Sequence, residues 1–124
     1  MIRIAFGQIQ VHPGDPATNF QSMMHAIDYA KAVSTDILIF PELCLSGYMV
    51  GDLWDQVPFI NDCLYYGEKL VKATANTNLT IIFGNVGIDE HLRNLDGSLR
   101  KYNALYVASK GQLVSNPSQP YPFT

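Results

Sequence analysis

An α/β fold built on a mixed sheet is what the order of patterns along this chain predicts. Short apolar runs alternate with amphipathic stretches at helical spacing through the first two-thirds of the sequence, a strand–helix–strand–helix–strand series. The later runs are separated by polar, glycine-containing turns, which favour antiparallel neighbours. With 124 residues and 48% hydrophobic content, the chain is long enough for one modest core and too short for two domains.

The first strand is expected within residues 2–10, where Ile2, Ile4, Phe6 and Ile9 stand among small and polar side chains. His12, Pro13, Gly14, Asp15 and Pro16 then break the run. Thr18 with Gln21 three residues later fits a capping box, and Phe20, Met23, Met24, Ile27 and Ala30 recur at helical spacing, so a helix should end near Val33. Residues 36–40 turn apolar after Asp36 without alternation, the pattern of a strand buried on both faces, and Pro41 ends it. Residues 41–57 form a loop able to display binding groups.

A second helix over about residues 58–75 should bury Phe59, Cys63, Leu64, Leu70 and Val71. Residues 80–83 and 102–108 are two further strands joined through the polar stretch 89–98, and Lys110 with Gly111 turns the chain into a short returning strand. These elements make one domain of residues 1–114. Residues 115–124, with Pro117, Pro120 and Pro122, give a sheet nothing to continue on and are expected to be a non-core tail.

Composition excludes several functions. A net charge of −3, with 8 Lys and Arg residues scattered singly, offers no stripe for a phosphate backbone, so nucleic acid is not expected as a partner. No apolar stretch approaches the ~20 residues that cross a bilayer, and the N-terminus lacks a signal-peptide pattern, so a cytoplasmic location without membrane partners is expected. His12, His25 and His91 lie apart without ligand spacing, which predicts no metal. Gly84-Asn85-Val86-Gly87 lacks the third glycine and the helix of a dinucleotide fingerprint, and the chain has no Walker sequence.

The segment Phe40-Pro41-Glu42-Leu43-Cys44-Leu45-Ser46-Gly47-Tyr48 carries the chemistry. It places a carboxylate immediately after a buried strand, where α/β proteins put ligands. The alternative is a carboxylate in an ordinary loop or salt bridge. Cys44 and Cys63 fit small buried hydrophobes better than reactive thiols. Asp52 suits a cap for the following helix or a contact with a neighbouring subunit. Lys101 and Lys110 flank a strand and are expected to be its solvated ends.

A strand ending in Phe-Pro-Glu and followed by Gly-Tyr resembles the first catalytic motif of the nitrilase superfamily. Ala5, Gln8, Gly14-Asp15, Asn19 and Tyr102-Asn103-Ala104 extend the likeness over about residues 2–114. Gly47-Tyr48 followed by Gly51-Asp52-Leu53 is similar to the glutaminase domains of NAD synthetases, from which Met49-Val50-Gly51 departs. The resemblance implies the N-terminal portion of an α-β-β-α sandwich that hydrolyses an amide, glutamine in that subgroup, with a Cys nucleophile, a Glu base and a Lys stabiliser. Glu42 matches the base, and Tyr48 would shape the substrate pocket. It also implies a homo-oligomer. Glu42 is expected in a partly buried cleft near Tyr48.

The family's lysine falls in a Lys-x-x-Leu-Pro pattern beyond the turn at Gly111, where this chain has Gln119, and its cysteine lies further on. Neither is present, so the chain alone is expected to be inactive. ATP and Mg are expected only in a synthetase domain, which the chain does not contain. A stand-alone amidase and a non-catalytic assembly module that kept the scaffold are the alternatives.

Overall fold

The computed structural model describes residues 1–114; the proline-rich tail at 115–124, Gln119 included, lies outside the described residues. In chain order the elements are β1 (Ile4–Phe6), α1 (Pro16–Ala32), β2 (Ile37–Ile39), a 3-10 helix (Gly51–Asp55), α2 (Val57–Lys72), β3 (Thr80–Arg93), β4 (Leu99–Ser109) and β5 (Gln112–Leu113). They form a five-stranded sheet in the order β1-β2-β3-β4-β5, parallel from β1 to β3 and antiparallel from β3 to β5. The predicted mixed sheet is therefore present. Helices α1 and α2 cover the same face of the sheet, where they pack on each other.

Register determines what each face buries. Ala5, Leu38, Ile81 and Ala108 lie in one row across the sheet. The last three are buried at 2% exposure or less beneath Met23, Ile27 and Leu70 of the helices. The alternate row faces away, and it leaves Phe6 73%, Ile4 58% and Leu105 46% exposed. Residues 36–40 are thus covered on one face only: Leu38 is buried, while Ile37 and Ile39 are half-buried because no described layer lies over them.

Several boundaries differ from the pattern. Helix α1 begins with Pro16 at its first position and is capped by Asp15, whose carboxylate accepts from the Thr18 amide at 3.1 Å and its hydroxyl at 2.8 Å. Thr18 is thus a partner of the cap, and the Thr18–Gln21 box is not formed. The same hydrogen bonds from Thr18 hold the Asp15 carboxyl below the usual carboxylate range. Asp52 does not cap α2. It sits in the first turn of the 3-10 helix, and Gln56 occupies the cap position without a side-chain bond.

Strand β3 continues through Gly84 and Gly87 to Arg93, far beyond the predicted residues 80–83. Glycine weakens an isolated strand, but here β4 pairs with the whole stretch from Ile81 to Asp89. The reason for glycine at position 84 lies in the loop after β2.

Candidate functional site

Three restraints shape that loop. Asn19, fully buried on α1, accepts from the His12 amide at 2.7 Å and donates to the carbonyls of His12 at 2.9 Å and Leu45 at 2.8 Å. It thereby ties residues 12 and 45 to the helix. The Gly14 amide adds a bond to Ser46 O at 2.8 Å. Gly47 turns at φ +83° so close to Pro13 that a Cβ would stand 2.5 Å from its Cα. A side chain there would collide with backbone as well as adopt a left-handed conformation.

Below the loop, the Glu42–Leu43 peptide lies flat on Gly84. A Cβ at Gly84 would overlap the Leu43 nitrogen and come within 2.9 Å of Glu42 C and Cα. Leu43 itself holds φ +47°, an uncommon state for a bulky residue, fixed by its 8% exposure and by the Gly47 amide bonding its carbonyl at 2.9 Å. Strain of this kind gathers at functional sites, and it lies one residue after the candidate base. Gly84→Ala is expected to cost about 2–3 kcal/mol, because only backbone can move to make room. A thermal midpoint unchanged from wild type would show that Gly84 does not support the loop.

Glu42 projects from this braced turn just beyond β2, whose end is prolonged by a bond from the Phe40 amide to Ile82 O at 2.8 Å. Its Oε1 accepts from the Asn103 side-chain amide on β4. Asn103 appeared in the sequence only as part of a family-like tripeptide, and its contact with Glu42 spans 61 positions. Only the pairing of β3 with β4 makes that contact visible. Glu42 is exposed, against the expectation of a partly buried cleft, because its side of the sheet carries no covering layer among the described residues. Tyr48 is 67% exposed and is not among the residues that line the neighbouring cavity.

That cavity, of about 260 Å³, adjoins the Glu42–Asn103 pair and is walled by Leu43, Trp54, Val86, Lys101, Tyr102 and Asn103. Lys101 was expected at a solvated strand end; it is instead half-buried in the wall, because β4 begins at Leu99 and carries it alongside β3. Lys110 does end the strand, donating to Thr77 O at 2.6 Å and Asn78 Oδ1 at 2.9 Å.

Both thiols are buried. Cys44 is fully buried, with Sγ 3.5 Å from Gly84 O and 3.6 Å from Met23 Sδ, and burial pushes the thiol up to about 12. Cys63, buried on α2, is raised to about 12 by burial and then by the Asp62 charge. His12, His25 and His91 are exposed, and no cluster suited to a metal ion exists among the described residues. No helix among these residues is long and apolar enough to cross a membrane.

The carbon-nitrogen hydrolase family profile matches residues 3–119. The glutamine-dependent NAD(+) synthetase of Thermotoga maritima is 28% identical over 113 residues, 91% of this chain and 18% of that protein. The synthetase of Aquifex aeolicus is 29% identical over 114 residues, again 18% of its length. Among solved structures, a synthetase from Cytophaga hutchinsonii superposes with a TM-score of 0.74 at 24% identity, covering 90% of this chain and 18% of that one. An amidase from Nesterenkonia sp. gives 0.72 at 20% identity, covering 92% and 41%. At these identities the two structures establish the fold. The chain spans less than a fifth of the synthetases it matches.

Proposed function

Because this chain belongs to the carbon-nitrogen hydrolase family, we propose that it is the first part of a glutaminase domain that supplies ammonia for ATP-dependent NAD synthesis. The observation that carries this reading is the placement of Glu42: it follows β2 on a strained, glycine-seated turn and is held by Asn103. The matches to glutamine-dependent NAD(+) synthetases support glutamine as the amide.

Glu42 has one oxygen occupied by Asn103, which leaves the other to take a proton. In the completed site Glu42 accepts the proton of a cysteine thiol, the thiolate attacks the amide carbon, and a lysine offsets the charge on the tetrahedral oxygen. Protonated Glu42 returns the proton to the departing nitrogen, which leaves as ammonia. Water, deprotonated by the same carboxylate, then releases the acid from the thioester. Tyr48 would border the substrate once further polypeptide covers it.

Association follows from the open sheet face. Phe6, Ile4 and Leu105 present apolar surface that a solvated monomer rarely retains, which supports pairing with another subunit or with more of the same domain. Sedimentation of the purified chain should show self-association; a stable monomer at high concentration would contradict it. The two free, buried cysteines fit a reducing cytoplasm, where ATP and Mg would serve a separate synthetase domain.

A stand-alone amidase is the second reading, since the carbon-nitrogen hydrolase profile over residues 3–119 fits it as well. Sequencing the coding region beyond Thr124 separates them. The proposal expects a family-type cysteine and later an ATP-binding Ser-Gly-Gly-x-Asp loop. A frame with the cysteine but no such loop would assign the amidase. A frame without the cysteine would contradict both readings and favour an assembly module.

A further inference from the structure

Asn19 is fully buried near the start of α1, a helix anchored in the core by Met23 and Ile27. Asparagine is a poor helix former, because its amide competes for nearby backbone groups. Here both of its amide hydrogens go to carbonyls outside the helix, those of His12 and Leu45, and its oxygen accepts from the His12 amide. One side chain therefore joins the loop before α1 to the turn that carries Glu42.

The other support of that turn depends on the same side chain. Apart from the bond between Glu42 and Asn103, residues 41–47 are hydrogen-bonded to the rest of the chain by Asn19, by the Gly14 amide at Ser46 O and by the sulfur contacts of Cys44. Gly14 follows closely on His12, so the two Asn19 bonds to His12 also fix where the Gly14 amide stands. Pro13, against which Gly47 packs, lies between them. Gly47 in turn donates to the carbonyl of Leu43, the left-handed residue that follows Glu42.

We propose that Asn19 is a positioning residue for Glu42: it hangs the turn from α1 so that the carboxylate meets the Asn103 amide on β4. Without it, Leu45 O loses its donor, the loop at residues 12–14 comes free, and the turn relaxes and carries Glu42 away from Asn103. This proposal rests on the reading of Glu42 as the base and adds what holds that base in place.

The test reads the Asn103 side-chain amide by proton–nitrogen NMR of the purified chain. Glu42→Ala removes the acceptor and so marks where the released amide resonates. Asn19→Ala should move the Asn103 resonances to that position. Ile27→Ala opens a core cavity about 12 Å further along the same helix and should leave them at the wild-type position. Wild-type resonances in Asn19→Ala, or an equal movement in Ile27→Ala, would overturn the proposal while leaving the reading of Glu42 intact. If Glu42→Ala moves nothing, the Glu42–Asn103 contact is absent and both fail. Should Asn19→Ala not fold, the wild type in urea below its unfolding transition decides. Exchange protection of the His12 amide, which bonds Asn19 Oδ1, and the Asn103 shift should vanish at the same urea concentration. An Asn103 shift that outlasts the His12 protection would overturn the proposal.

Discussion

The purified chain is expected to release no ammonia from L-glutamine above background. Amide hydrolysis of the family type needs a nucleophile, a base and an electrostatic stabiliser, and loss of the nucleophile alone costs on the order of 10⁶-fold in turnover. Cys44 is the candidate rescuer by position, two residues after Glu42. It points into the core, where its Sγ meets Met23 Sδ and Gly84 O at 3.6 and 3.5 Å. Burial raises it to about 12, so the neutral thiol is favoured and thiolate forms only near or above that pH. Cys63, also raised to about 12, lies on the buried face of α2 with Phe59, Ile60 and Val86. Raising the assay from pH 7 to 9 should therefore reveal no activity. Ammonia release that disappears in Cys44→Ala would overturn the assignment of the nucleophile to polypeptide outside this chain.

Elements with strong periodicity were legible in the sequence, and their ends were not. The spacing of Met23, Ile27 and Ala30 identifies the buried stripe of α1, but the cap lies at Asp15, three residues before Thr18, because Pro16 is free to start a helix. Gly84 and Gly87 looked like the end of a strand. Their role emerges only when the Glu42–Leu43 peptide is seen lying on Gly84, a contact 41 residues away in sequence.

The candidate base was legible for a similar reason: a short apolar strand followed by Pro-Glu is a local signal. Its partner was not, since Asn103 reaches Glu42 only through the β3–β4 pairing. Lys101 was misplaced because a lysine near a glycine-containing turn normally marks a solvated end. In the folded chain β3 and β4 extend past that point and carry it into a cavity wall. Tyr48 followed from resemblance alone, and its 67% exposure leaves its contact with substrate to be tested.

Glu42→Gln tests the central claim most directly. A chimera joining residues 1–114 to the remainder of the Thermotoga maritima synthetase would set this chain's Glu42 and Asn103 in a full-length synthetase. Glutamine preserves the shape of the side chain and can still meet Asn103 through its carbonyl oxygen, but it accepts no proton from a thiol. The turnover number for ammonia release should fall roughly 10²–10⁴-fold relative to the unmutated chimera, with KM little changed, as expected when a general base is removed and binding is kept. A Glu42→Gln chimera that turns over glutamine at the unmutated rate would contradict Glu42 as the base.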